Sequence, residues 1–110
     1  MLKETVKNAD IVIAACGVPG LIKSKWIRHD AVVIDVGINF VDDQSGNPIM
    51  CGDVEFNEDL LKKCKKVTPV PGGVGPMTVT MLLNNLVQSW ELRLQNKFVG
   101  IDSYPPQSMR

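Results

Sequence analysis

The densest concentration of special residues is VTPVPGGVGPMTV, Val67 to Val79. Pro69, Pro71, Gly72, Gly73, Gly75 and Pro76 crowd the approach to an apolar helical pattern there. Glycine presents bare backbone and accepts positive φ, at an entropic cost of about 0.5–1 kcal/mol per residue relative to alanine. Pro76 suits the first helical position, where its missing N–H is not needed. The segment is therefore expected to end a strand and enter a helix whose N-terminus carries partial positive charge and N–H groups without intrahelical partners. That arrangement suits a flat or electron-rich ligand pressed against main chain at the carboxyl end of a parallel sheet. A tight corner also uses glycine, but three glycines between prolines favour a binding loop over a corner.

Other residues able to do chemistry are more isolated. Asp35 interrupts an apolar run, where burial would raise its pKa, but such a residue is more often hydrogen-bonded to nearby backbone N–H groups. Asp53 and Glu55 follow Gly52 near a strand end, where they border a site or serve a turn or cap. His29, between Arg28 and Asp30, reads as a surface residue rather than a metal ligand. Cys16 has no histidine in an obvious partner position and is not read as a nucleophile. Met77 and Met81 read as packing residues, and Trp90 as core or interface. No metal site is expected.

These residues sit in a chain of 110, enough for one domain at most, with 45% hydrophobic and 22% charged residues, a globular profile. Twelve basic residues balance twelve acidic ones, leaving no net field to attract nucleic acid or an anionic membrane. Lys62, Lys63, Lys65 and Lys66 lie beside Glu58 and Asp59 and read as a solvated helix face. Cys16, Cys51 and Cys64 are odd in number and widely spaced, which argues against a disulfide framework or a zinc site. No apolar run approaches the roughly 20 residues that span a bilayer; the first residues read as neither a signal peptide nor an Arg-rich presequence, which carries little weight because the N-terminus is expected to be truncated.

The positioning elements follow from periodicity. Ile11 to Cys16 and Ala31 to Ile38 are β-branched runs without polar alternation, the pattern of strands buried on both faces. Ser24 to Arg28 reads as a short helix or turn, and Asp42 to Pro48 as a reversal. Ile49 to Val54 is a short strand candidate. Asn57 is placed to cap a helix from Glu58 to about Lys65, with Leu60, Leu61 and Cys64 on one face. Lys66 to Val70 is a third strand, and Pro69 sets it near an edge or a strand end. Val79, Leu82, Leu83, Leu86, Val87, Trp90 and Leu94 form a single helical stripe. Residues 98–110 carry turn formers and no stripe, the pattern of a loosely held tail.

Strands alternating with helices imply right-handed crossovers and a parallel sheet. The expected fold class is α/β: the second half of a Rossmann-like doubly wound parallel sheet with a long C-terminal helix. The domain is expected to be incomplete, because two strands demand cover and neighbours that the sequence does not supply and no GxGxxG precedes a helix. Residues 1–97 form this portion and 98–110 the tail.

Four blocks carry a resemblance. Pro69 to Leu82 (PVPGGVGPMTVTML), Ala9 to Ile22 (ADIVIAACGVPGLI), Val32 to Asn39 (VVIDVGIN) and Gly52 to Val54 (GDV) resemble, in order and spacing, the C-terminal part of the methylenetetrahydrofolate dehydrogenase/cyclohydrolase family. The resemblance covers about Ala9 to Asn96. It implies a folate enzyme of the cytosol or mitochondria, homodimeric at full length. Such enzymes transfer hydride from methylenetetrahydrofolate to NADP or NAD and then hydrolyse the methenyl product. It further implies that Pro71, Gly72, Gly73, Val74 and Gly75 form the folate-side loop beside the nicotinamide. Ile38, with Gly37 before it, would hold the nicotinamide carboxamide by its backbone, and Cys16 and Gly17 would wall the dinucleotide. Backbone contacts that fix two flat rings at stacking distance supply proximity, much of what hydride transfer requires.

The family's catalytic lysine and tyrosine belong to an N-terminal substrate domain that this sequence lacks, as it lacks the Gly-Arg-Ser phosphate loop. Neither Lys23 nor Lys25 has a matching context, so no residue here is assigned a catalytic role. The competing readings are a non-catalytic binding or assembly module that pairs with a partner chain, and a nucleotide-binding Rossmann fragment of other chemistry. The retained PGGVGPMT favours the enzyme. The chain by itself is expected to be marginally stable and to show no dehydrogenase turnover; production of NADPH or NADH from methylenetetrahydrofolate by the purified chain would overturn that expectation.

Overall fold

The computed structural model describes residues 1–95. The expected tail, residues 98–110, and the boundary before it lie outside the described residues. In chain order the elements are α1 (Leu2–Asn8), β1 (Ile11–Ala14), a 3₁₀ turn (Ser24–Trp26), β2 (Val32–Asp35), β3 (Asn39–Asp42), β4 (Pro48–Cys51), α2 (Glu58–Lys63), β5 (Lys66–Val67) and α3 (Val74–Leu94). Two compact units divide at Met77 and Thr78.

The first unit is built on a parallel sheet of order β1–β2–β5. Its register pairs Ile11 with Val32 and Ala14 with Asp35, and on the other side Val33 with Val67. β-branched residues fit the pleat, which is why the two apolar runs become its longer strands. The runs themselves break early: each is paired for four residues and then turns out of the ladder. β5 is the short outer strand, as Pro69 predicts.

The core lies on one face of this sheet. Val12 and Ala14 of β1 and Val33 of β2 point inward and are buried with Val6, Ile22, Ile27, Ala31, Val54 and Leu60. α1 and α2 both contact the 3₁₀ turn on that side. The expectation of strands buried on both faces is not met. Burial alternates along β1, and Ile11 and Ile13 remain 60% and 66% exposed. A parallel strand alternates its side chains between faces, and within the first unit α1 and α2 pack on one of them through Val6 and Leu60.

Three further departures have local causes. α1 has one buried apolar residue, Val6, among polar neighbours and so leaves no periodic trace in the sequence. β3 and β4 form an antiparallel ribbon pairing Asn39 with Cys51 and Asp42 with Pro48, not part of the parallel sheet. Its four-residue strands merge with turn formers in the sequence. Asp43 closes the reversal by accepting the N–H groups of Ser45 (2.8 Å) and Asn47 (2.9 Å). The third departure is at the last helix, which starts at Val74, so that Pro76 sits third rather than first. A proline is tolerated there because the first-turn N–H groups have no intrahelical acceptor.

α2 begins where Asn57 predicts: its side chain accepts the Leu60 N–H at 2.9 Å. In α3 no described residue is buried, and Trp90 is 61% exposed. Trp90 reads as core or interface in the sequence, and the core alternative is corrected; Met77 and Met81, which read as packing residues, are likewise exposed in this chain.

Leu60 is fully buried. Leu60→Ala is expected to lower stability by about 2–5 kcal/mol and Asn57→Ala by about 0.5–2 kcal/mol, both measured by denaturant unfolding.

Candidate functional site

Because β1, β2 and β5 are parallel, their carboxyl ends lie along one edge of the sheet, and three segments leave from it. The first holds Cys16 and Gly17, the second Gly37 and Ile38, the third Thr68 to Gly75. Main-chain bonds splay them at fixed points. Val36 N–H donates to the Ala14 carbonyl (2.8 Å) and Thr68 N–H to the Val33 carbonyl (3.0 Å). The Thr68 hydroxyl accepts from Asp35 N–H at 2.8 Å, which anchors the third segment beside the second.

Two buried aspartates bind the edge together. Asp35 accepts from the N–H groups of Gly37 (3.0 Å), Asp53 (3.0 Å) and Val54 (2.9 Å). This is the backbone-satisfied role read from the sequence. Asp53, with no exposed surface, accepts from the N–H groups of Cys16 and Gly17 and from Asn39 Nδ2 at 2.8 Å. Neither carboxylate has an ion pair among the described residues. Burial alone would push the Asp53 carboxyl up. The bonds from Asn39 and from the backbone of Cys16, Gly17 and Val18 outweigh it and hold the group below its ordinary value.

The carboxylates also dictate two glycines. A Cβ at Gly37 would overlap the Asp53 carboxyl group and sit 2.7 Å from its backbone nitrogen. A Cβ at Gly52 would collide with the Asp35 carboxyl group. Next to them, Glu55 accepts from the backbone N–H and hydroxyl of Ser24 (3.0 Å each). Those two bonds, set against some burial and assisted by Lys23 and Lys25, lower its pKa.

The remaining expected site residues fall as follows. Cys16 and Gly17 are exposed although their N–H groups are engaged; Gly37 is buried and Ile38 is 60% exposed. In the third segment the Val70–Pro71 bond is cis, and Pro71, Gly72 and Gly75 are exposed while Gly73 and Val74 are half-buried. Gly72 has φ 95°, and Gly73 lies against Pro69, whereas Gly75 has open space around it and belongs to α3. Two of the three glycines are thus conformationally required.

A cavity of about 310 Å³ opens beside this edge, lined by Asp35, Cys51, Glu55, Phe56 and Val70 among others. His29 is exposed, the three cysteines are free, and no cluster among the described residues is composed to hold a metal ion. The central position of Asp53 and its bond to Asn39 escaped the sequence. A carboxylate directly after Gly52 was a signal, but it is the same signal that a turn gives.

A parallel α/β sheet with main-chain-rich loops gathered at its carboxyl edge defines a nucleotide-binding class of fold. Residues 1–94 match the family model described as tetrahydrofolate dehydrogenase/cyclohydrolase, NAD(P)-binding domain, and the chain belongs to that family. It is 50% identical over 107 residues to the mitochondrial C-1-tetrahydrofolate synthase of Saccharomyces cerevisiae, covering 94% of this chain and 10% of that protein. It is 48% identical over 93 residues to the bifunctional protein FolD of Campylobacter concisus, covering 84% and 31%. Among solved structures it is similar to the Trypanosoma brucei methylenetetrahydrofolate dehydrogenase-cyclohydrolase complexed with NADP and inhibitor. That match has a TM-score of 0.71 and 45% identity over 78% of this chain and 29% of that one. The chain thus spans from a tenth to about a third of the length of these relatives.

Asp53 ionises below its ordinary value, so it contributes stability above a pH of about 4 that is lost as pH falls through the lowered folded value. Asp43 and Glu55, also lowered, act in the same direction. Comparing the acid side of the stability–pH curve in Asp53→Asn with that of the parent isolates the Asp53 part. The variant is expected to be less stable at neutral pH and to lose less on acidification below pH 4, by circular dichroism.

Proposed function

We propose that this chain supplies the nicotinamide-side and folate-side main chain of a methylenetetrahydrofolate dehydrogenase/cyclohydrolase. In this reading Cys16, Gly17, Gly37 and Ile38 meet NADP or NAD, and Pro71 to Gly75 meet the folate substrate, methylenetetrahydrofolate. The observation that carries it is the convergence of the three segments at one sheet edge, fixed by Asp35, Asp53 and Thr68. The residues present fit a nicotinamide: Cys16, Gly17 and Ile38 are exposed on either side of the edge, and buried Gly37 lets the Asp53 carboxylate close in behind them. Held by Cys16, Gly17, Gly37 and Ile38, NADP or NAD would supply the hydride acceptor. The chain's own part is to hold flat rings by backbone and to limit their motion, which lowers the entropic cost of reaching the reactive geometry.

General acid–base groups are assigned to no residue here. The nucleotide choice between NADP and NAD lies at the ribose end and is left open by these residues. The compartment in this reading is the cytoplasm or the mitochondrion, the latter supported by the name of the yeast relative. A homodimeric whole protein belongs to the same reading. A second reading, a non-catalytic module that pairs with a partner chain, is favoured by the exposed stripe of Val79, Leu82, Leu86 and Trp90.

Amide NMR of the ¹⁵N-labelled chain tests the assignment. Titration with NADP is expected to shift Cys16, Gly17, Gly37 and Ile38. Titration with a folate is expected to shift Gly72, Gly73, Val74 and Gly75. Shifts confined to other segments would overturn it.

A further inference from the structure

We propose that Asp53 is a positioning residue for the nicotinamide side of the site: its carboxylate brackets the β1 exit at Cys16–Gly17 to Asn39 and turns the two peptides there so that they present carbonyl acceptors to a ligand. This extends the preceding reading and rests on it.

The carboxylate collects two consecutive N–H groups, those of Cys16 and Gly17, on Oδ2, while Oδ1 takes Asn39 Nδ2. In a trans peptide the N–H and C=O groups point in opposite directions. With the N–H of Cys16 and of Gly17 drawn inward to Asp53, the carbonyls of Ala15 and Cys16 face away from it. Among the described residues neither carbonyl accepts a main-chain hydrogen bond, and residues 15–17 are all exposed. The β1 side of the edge is therefore a wall of acceptors, chemically suited to a ligand that donates, such as a carboxamide N–H₂ or a sugar hydroxyl. A wall of N–H groups would instead recruit an anion. The same residue sets the opposite side, because Asn39 follows Ile38 directly and its side chain ends on the Asp53 carboxylate. Asp35 holds Asp53 in place by accepting its N–H, and Gly37 is bare because the Asp53 group occupies the space of a Cβ. Asp53 itself is fully buried, so its action passes through the backbone it orients.

The discriminating experiment uses hydrogen-bond polarity. In Asp53→Asn the charge is lost and the new Nδ2 opposes the Asn39 Nδ2, a clash relieved only if the Asn39 amide turns over, while the shape is kept. The double variant Asn39→Asp with Asp53→Asn restores a donor facing an acceptor. Two readouts apply to the 110-residue chain: amide hydrogen exchange at Cys16 and Gly17 without ligand, and the affinity for NADP by NMR titration. D53N is expected to speed exchange at both amides and to weaken NADP by about tenfold, the scale of one charge-assisted hydrogen bond. The double variant is expected to recover both to within about threefold of the parent. Asn57→Ala, which weakens α2 rather than the edge, serves as the control for lost stability and is expected to bind NADP as the parent does.

The proposal is overturned by a D53N chain with parental exchange and affinity, by a double variant no better than D53N, or by N57A losing as much NADP affinity as D53N. Should D53N fail to fold, Asn39→Ala removes a single donor and carries the same comparison. A parent chain whose resonances ignore NADP would overturn the functional reading and the ligand-facing part of this one. The exchange data would still decide separately whether the bracket exists.

Discussion

Two carboxylates buried without a cation govern the architecture of the first unit. An isolated buried carboxylate is severely unfavourable, and the charge is held here by backbone N–H donors supplied from three places along the chain. That requirement works in both directions. Asp35 and Asp53 need those N–H groups, and the segments at 16–17, 37–39 and 52–54 leave regular secondary structure at the points where the carboxylates can take their donors. Gly37 and Gly52 follow from the same constraint, since the carboxyl groups occupy the positions of their missing side chains. The site edge is thus a set of main-chain loops strung on two acid groups, and its geometry depends on hydrogen bonds more than on packing.

Packing in this chain is one-sided. Fully buried Val33, Ile27 and Leu60 anchor a core on one face of the sheet, while Ile11 and Ile13 on the other face stay exposed, as does the apolar stripe along α3. Burial of apolar surface yields about 25 cal/mol per Å², and Ile11 and Ile13, more than half exposed, contribute little of it. The match to an NAD(P)-binding domain over residues 1–94 places this asymmetry in context, for the relatives are three to ten times longer than the part aligned.

Legibility in the sequence followed the strength of the local signal. The cap at Asn57, the strands centred on Val12 and Val33, the long helix and the backbone-bound state of Asp35 were all readable, because each rests on a residue type with one dominant preference at that spacing. The β3–β4 ribbon was readable in part: the reversal at Asp42 to Pro48 and the strand from Ile49 were, but β3 and the antiparallel pairing were not, since four residues beside turn formers leave too few alternations to count. α1 was missed because a single buried valine makes no stripe. The helix start at Val74 rather than at Pro76 was hidden because proline is acceptable throughout the first turn.

By itself the sequence determined the class of fold, the family blocks and the turn into the long helix at Pro71 to Gly73, because β-branched runs, helical stripes and clustered glycines act over a few residues. The tertiary structure decided which donors meet which acceptors across the chain. Asp53 reaches back 37 residues to Cys16, a pairing that no local pattern encodes. It likewise decided that Val12 is buried while Ile11 and Ile13 of the same strand are exposed, because burial depends on what lies opposite a residue in space and periodicity records only which side it faces.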